Sequence, residues 1–344
     1  MNKPVLAVTM GDPAGVGPEI TVKALADPLL RERVCPLVVG VAQVLTDASA
    51  LLGNPLRVET VASPEEALRA PADVLSVLEP PTLAPGEYPR AQIDARCGEA
   101  AFRSIELAIQ IALAGQVAAV VTNPLHKTAL QLAGHHYAGH TEIFRDLTGA
   151  ASSAMMLVAQ GLRVVHVTTH CSLHEAAARC RTKRILQVTR LAHEALLSLG
   201  IASPRLGMAA LNPHAGEAGL FGDEEREQIL PAVEAARKEG LDVSDPLPAD
   251  TIFCLALGGR FDAVIAQYHD QGHIPVKLLG FHYDDRTGQW TSVSGINVTL
   301  GLPILRVSVD HGTAFDQAWR GQANPESLHD ALDFALQMTT ARGR

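Results

Sequence analysis

Short, predominantly apolar runs of strand length recur along this chain, separated by helix-length segments, and this pattern most limits the folds open to it. Val5–Met10, Leu37–Val41, Val117–Val121, Leu206–Leu211 and Ala263–Tyr268 are runs of this kind, and each predicts a strand buried on both faces. Ala101, Ile105, Ala108, Ile109 and Ala112 fall at helical spacing within residues 95–115, which predicts an amphipathic helix. Further helices are predicted at Pro18–Leu30, at Thr182–Leu199, at Glu224–Lys238 with Gly240 as the stop, and at Glu326–Arg342. Met155–Ala159 and Leu162–Val167 flank Gln160-Gly161, a hairpin signal. Ile296–Leu300 and Ile304–Val309 read as a strand pair around Gly301-Leu302-Pro303. Residues 281–295, with Asp284-Asp285-Arg286 and Ser292–Ser294, read as an exposed polar excursion. Strands alternating with helices give a largely parallel sheet covered on both faces. At 344 residues the chain exceeds one small core. The expected architecture is therefore a two-lobed α/β/α fold, with residues 1–135 and 300–344 in one lobe and 136–299 in the other.

The balance of 47% hydrophobic and 19% charged residues belongs to a globular protein rather than a disordered one. A net charge of −9 argues against a nucleic-acid partner, which requires a basic face, but leaves room for a phosphorylated small molecule. The five cysteines are dispersed and form no CxxC pair, which reads as reduced thiols. No apolar stretch reaches the roughly 20 residues of a membrane span, and the start lacks a signal-peptide pattern. The expectation is a cytoplasmic protein.

In open α/β sheets, ligands bind beyond the carboxyl ends of the strands. Leu162–Val167 leads to Thr168-Thr169-His170, Leu206–Leu211 to Asn212-Pro213-His214, and Ala263–Tyr268 to His269-Asp270. Three histidines at equivalent strand ends suit a catalytic divalent ion with an open position; singly, each also suits a hydrogen-bonded structural role. Asp270 is a candidate ligand or a group that orients His269. The turn Gly11–Gly17, with Asp12 in it, lets backbone approach a ligand or serves only as a tight strand-to-helix connection; it is neither GxGxxG nor a Walker loop. Thr141 after His140 is either a helix cap or half of a substrate-contacting pair. Arg306 lies inside an apolar run and needs a partner, which a phosphate or carboxylate would supply; Asn297 raises the same question. Lys277 follows His269 by eight residues. His311, Gly312, Thr313 and Asp316 belong to a loop able to follow a flat ligand, or a plain connection.

Together, Met10–Ile20, Thr122–Lys127, Gly139–Phe144, Thr168–His170, Leu211–Glu217, Phe221–Glu225, Pro248–Thr251, Tyr268–Lys277 and Gly295–Asp316 resemble the 4-hydroxythreonine-4-phosphate dehydrogenase (PdxA) family, in order along most of the chain. The resemblance implies a fold like that of isocitrate and isopropylmalate dehydrogenases. It implies a homodimer with shared active sites, the lobe 136–299 carrying most metal ligands and the dimer interface. It implies one divalent cation (Zn, Mg, Co or Mn) on His170, His214 and His269. Substrate contacts carry over to His140, Thr141, Lys277, Asn297 and Arg306. The cofactor, NAD or NADP, falls to Gly11, Asp12, His311, Gly312, Thr313 and Asp316. The implied reaction oxidises the secondary alcohol of 4-phosphohydroxy-L-threonine, and the keto acid then loses CO2 to give 3-amino-2-oxopropyl phosphate. The span from Lys277 to Asn297 is about ten residues longer than the pyridoxine-pathway pattern and is similar to relatives acting on D-threonate or D-erythronate 4-phosphate. Readings of other classes are an acyl-phosphate transferase, which leaves the strand-end histidines unexplained, and a non-catalytic binder of a phosphorylated metabolite.

Overall fold

The structure is a computed structural model that describes residues 3–81, 87–286 and 289–342, with backbone alone for 289–293 and 341–342. The strands in chain order are β1 (Val5–Thr9), β2 (Cys35–Val39), β3 (Arg57–Thr60), β4 (Val74–Leu78), β5 (Ala119–Thr122), β6 (Ala154–Ala159) and β7 (Leu162–His166). They continue as β8 (Arg205–Ala209), β9 (Asp242–Leu247), β10 (Ala263–Ala266), β11 (Phe281–Asp284), β12 (Gln289–Val293), β13 (Ile296–Leu300) and β14 (Arg306–Val309). The chain divides into two compact units, Met1–Ser152 with Leu302–Thr339, and Ser153–Gly301 with the final residues. The expected crossings at 135/136 and 299/300 thus fall at 152/153 and 301/302. The first moves because the helix His140–Thr148 packs its Ile143 and Phe144 against Ile105 and Ile109 of the helix Ala95–Leu113.

In the first unit the strand order is β3-β4-β2-β1-β5-β14, all parallel. The runs β1, β4 and β5 are fully buried, as helices on both faces require. Leu37, Val39, Val120, Ile105, Ile109 and Leu130 share one core. The predicted helix Pro18–Leu30 is two helices, Gly17–Leu25 and Pro28–Arg33. The first ends on Ala26, and Asp27 caps the second, its Oδ1 accepting from the Leu29 N–H at 2.9 Å ahead of a proline in the first turn.

In the second unit β7, β10, β8 and β9 are parallel neighbours, and the predicted hairpin pairs β6 with β7 in antiparallel register. Its two-residue turn, Gln160 at φ 47° and Gly161 at φ 87°, has the positive φ pair that hairpin twist favours. β13 also runs antiparallel to β6, with Ile296–Leu300 in register against residues 154–158, and β14 pairs with β5. The polar excursion is a second hairpin, β11–β12. The Ser294 N–H donates to the Gly280 carbonyl at 2.9 Å, tying its base. Asp285 and Arg286 face outward, Arg286 lying against Asp284. Among the described residues no helix is long and apolar enough to cross a membrane.

The helix His269–Gly280 escapes sequence reading because it contains Gly272, Pro275 and Gly280. Gly272 has a packing cause. A Cβ there would lie 2.3 Å from His166 Nε2 and 2.7 Å from Val164 Cγ1, so only glycine lets the helix close on β7. Gly272→Ala should destabilise the protein by about 1–3 kcal/mol through overpacking. Gly258→Ala, whose new methyl meets ordinary contact distances at 3.4 Å, should be near neutral. Urea midpoints of the two variants check this, and equal midpoints would contradict the packing argument.

Candidate active site

In the first unit the chemistry gathers where β1, β5 and β14 end. Gly11 has φ 78°, and a Cβ there would stand 2.5 Å from the Pro124 carbonyl oxygen, so the turn after β1 presses against the loop after β5. Asn123 is buried and clamps this junction, its Nδ2 donating to the Thr9 carbonyl at 3.0 Å and to Thr21 Oγ1 at 2.7 Å. Asp12 is fully buried; its Oδ1 accepts from the Ala14 N–H at 2.8 Å, while Oδ2 is sequestered without a hydrogen bond. Burial pushes this carboxyl up to about 6, against the opposing pull of the Ala14 and His126 N–H groups.

The Gly11–Gly17 turn and the loop His311–Asp316 adjoin. The Val16 N–H donates to the Thr313 carbonyl at 3.0 Å, the rings of His126 and Phe315 stack at 5.1 Å, and Trp319 Nε1 donates to the Pro13 carbonyl at 3.0 Å. Thr313 is buried at this seam, whereas Gly312 and Asp316 are exposed. His311 Nδ1 lies 3.0 Å from the Gly312 carbonyl oxygen.

Arg306 opens β14 and is only 2% exposed. Its Nη2 and Nε donate to Thr122 Oγ1 at 2.7 and 3.2 Å, and its guanidinium carbon is 5.5 Å from the centre of the Phe144 ring. Burial lowers its pKa to about 9, and the Glu142 carboxylate opposes that shift. His140 is the first residue of the helix His140–Thr148, and its Nε2 is buried without a hydrogen-bond partner. Burial, and then the charge of Arg306, hold the imidazole neutral, well below its ordinary pKa. Thr141 follows in the first turn; the residue before the helix is Gly139, so Thr141 is not the cap.

In the second unit His170, His214 and His269 follow β7, β8 and β10, three adjacent parallel strands whose carboxyl ends share one edge. The His170 and His269 rings are 5.7 Å apart, and His269 Nδ1 is 2.6 Å from Asp270 Oδ1. That contact orients the ring and directs Nε2 to other use, the arrangement typical of a ligating imidazole. His214 stands on the neighbouring loop with Phe221 at 6.2 Å. Among the described residues no three His, Cys, Asp or Glu groups are already gathered around one point. The donor chemistry fits a divalent ion, and within one chain the geometry brings two of the three rings together.

Two further histidines belong to this cluster. His273 stacks on His269 with centroids 3.5 Å apart, and its Nδ1 lies 3.1 Å from His166 Nε2. His166 is buried and driven down to about 3 by that burial and by His273, so it stays neutral. The signal for His273 was its i+4 spacing from His269, hidden by the glycines and proline of the helix. Lys277 lies two turns beyond His269 on the same helix, with its Nζ 3.8 Å from the centre of the Phe281 ring. Asn297 lies on β13 opposite Leu157, half-buried.

The turn carrying His214 is unusual. His214, Ala215, Gly216, Glu217 and Ala218 have φ of 53, 54, 77, 42 and 57°, a left-handed run. Left-handed backbone costs roughly 1–2 kcal/mol for each non-glycine residue, so surrounding contacts must hold it.

Asp12 generates a pH prediction. Its folded pKa lies above that of the unfolded chain, so the native state holds the extra proton between them. Stability therefore falls as pH rises from about 4 through about 6. Asp12→Asn keeps the acceptor for the Ala14 N–H and removes the buried charge. It should gain up to roughly 3 kcal/mol over wild type at pH 7 and little at pH 4. Urea unfolding at both pH values checks this; an equal difference at the two would contradict it.

The family described as pyridoxal phosphate biosynthetic protein PdxA matches residues 32–335. The chain is 45% identical to a D-threonate 4-phosphate dehydrogenase of Cupriavidus necator, with 98% of each chain covered. It is 47% identical to a 4-hydroxythreonine-4-phosphate dehydrogenase of Beijerinckia indica, with 97% of this chain and 94% of that one covered. Among solved structures it is similar to a 4-hydroxythreonine-4-phosphate dehydrogenase from Klebsiella pneumoniae, with a TM-score of 0.85, 42% identity, and 98% and 100% of the two chains covered. With the match spanning most of the sequence and the strand-end motifs in place, the chain belongs to the PdxA family of pyridoxal phosphate biosynthetic proteins.

Proposed function

We propose that this protein is an NAD(P)-dependent dehydrogenase that oxidises the 3-hydroxyl of a four-carbon, 4-phosphorylated hydroxy acid, with loss of CO2 from the resulting keto acid. The observation that carries this reading is Arg306, a buried guanidinium fixed by Thr122 beside a neutral His140 and the first turn of a helix. A preorganised cation and helix N–H groups suit a phosphate. His140 and Thr141 offer donors to the same anion or to the adjoining hydroxyl. Lys277 and Asn297 complete the assigned substrate set. A divalent ion on His170, His214 and His269 would act as a Lewis acid toward the substrate hydroxyl and carboxylate. Asp270 and His273 keep the His269 ring oriented and available. The joined Gly11–Gly17 and His311–Asp316 segments, with Asp12, are the proposed nicotinamide cofactor side. The cofactor proposed there is NAD or NADP.

Relatives of both substrate names have similar identities to this chain. The two substrates differ at C2, a neutral hydroxyl in threonate and an ammonium in hydroxythreonine. The hairpin β11–β12 favours D-threonate or D-erythronate 4-phosphate as the first choice, since it forms the extra length between Lys277 and Asn297. The same unit exposes Leu173, Leu220, Phe221, Ile274 and Leu278, at 69, 72, 46, 58 and 73%, apolar area that supports assembly as a homodimer. The free cysteines suit a cytoplasmic enzyme.

A panel of 4-phosphorylated hydroxy acids with NAD or NADP, followed at the absorbance of the reduced cofactor, tests the reaction. Turnover that survives complete metal removal, or its absence with every member, would defeat it. Replacing residues 281–294 by a short Gly-Ser connection should shift the kcat/KM ratio of D-threonate 4-phosphate to 4-hydroxythreonine 4-phosphate at least tenfold, about 1.4 kcal/mol. An unchanged ratio in a folded variant would return hydroxythreonine phosphate to first place. Arg306→Met should raise KM by on the order of 100-fold, about 2.7 kcal/mol, with the fold kept. Normal KM in a protein that melts early would mark Arg306 as a structural partner of Thr122.

A further inference from the structure

The left-handed turn that presents His214 is held at its entrance by one carboxylate. Glu225 is 7% exposed. Its Oε1 accepts from the Leu211 N–H at 2.8 Å and the Asn212 N–H at 2.7 Å, and its Oε2 accepts from Asn212 Nδ2 at 2.9 Å. Asn212 Nδ2 also donates to Glu224 Oε2 at 2.7 Å. On the turn itself, a Cβ on Gly216 would come within 2.8 Å of Glu225 Oε2, so the carboxylate packs directly on the left-handed backbone. The Phe221 N–H closes the far side on the Gly216 carbonyl at 3.2 Å. Glu225 opens a widened turn, Glu225–Ile229, that leads into the helix Leu230–Lys238. Such π-type turns often mark functional positions.

From this geometry we infer that Glu225 is the positioning residue for His214. Its oxygens take the N–H groups of the two residues that lead into the turn, and its bulk lies against Gly216. Residues 214–218 are therefore held in a backbone that four of them, being non-glycine, disfavour. Both carboxylate oxygens are engaged in these bonds, so Glu225 acts through His214 and not on substrate. The inference rests on the reading of His214 as a metal ligand.

The test uses the full chain, freed of metal by chelation, with Co2+ as the probe. Calorimetry gives its affinity and the visible spectrum its ligand geometry. Glu225→Gln keeps the size but weakens the acceptors and sets an amide donor against Asn212. It should lower Co2+ affinity at least tenfold and alter the visible band. Adding Ala215→Gly and Ala218→Gly, which removes the left-handed penalty at two positions, should recover most of that affinity; a merely structural carboxylate would show no such rescue. Wild-type Co2+ affinity in Glu225→Gln, with affinity lost in His214→Ala, would overturn the inference and leave the metal reading standing. Should His214→Ala bind Co2+ normally, the metal reading falls. Hydrogen exchange then decides the positioning role: faster exchange at the 211 and 212 amides in Glu225→Gln upholds it, and unchanged exchange overturns it.

Discussion

Parallel strand pairing sets the position of most of the chemistry in this protein. Parallel neighbours present their carboxyl ends at the same edge, so whatever follows each strand is delivered to one side of the sheet. In the second unit the adjacency of β7, β10 and β8 puts the loops of His170, His269 and His214 on one edge. In the first, the adjacency of β1 and β5 brings the turns of Asp12 and Asn123 together, and β14 beside β5 lets Arg306, at its amino end, reach Thr122 at the carboxyl end of β5. The connecting helices are what make parallel pairing possible, and their packing keeps the strands dry enough that each needs a nearly continuous apolar run.

Within that frame the protein tolerates costly polar burial. Asp12, His140 and Arg306 are each displaced from their ordinary titration by desolvation. A folded chain gains nothing in stability from such groups unless they are matched, and apolar replacements of similar size would often serve better. Their retention around one region of the first unit is the pattern expected where binding, rather than stability, sets the residue choice. The second unit shows the same preference in conformational form: a left-handed run of five residues carries His214, and a buried carboxylate secures its entrance.

Much of the architecture was legible in the sequence. The buried strands β1, β2, β5, β8 and β10 came from their apolar runs, the helix at 95–113 from periodicity, and the hairpin at Gln160-Gly161 from its turn residues, while the equally buried β4 went unread. The edge strands β3 and β9 were not legible: sequences such as Arg57–Thr60 and Asp242–Leu247 are half exposed and carry no apolar run. The helix His269–Gly280 was hidden because Gly272 and Pro275 are poor helix formers, and Gly272 is there to admit His166. In that helix local propensity loses to a contact made with a residue more than a hundred positions away.

The sequence by itself determined most of the buried strands, that chemistry follows them, and, through motif resemblance, the family. It placed His170, His214 and His269 at strand ends because a strand end is a local property. Only the tertiary structure decided which strands become neighbours, and hence that Arg306 meets Thr122 across 184 positions and that His166 meets His273 across 107. It alone decided that Glu225 grips residues 211 and 212, and that residues 214–218 take a left-handed path. Strand order and backbone strain depend on contacts between distant parts of the chain, and no local pattern of residue types encodes them.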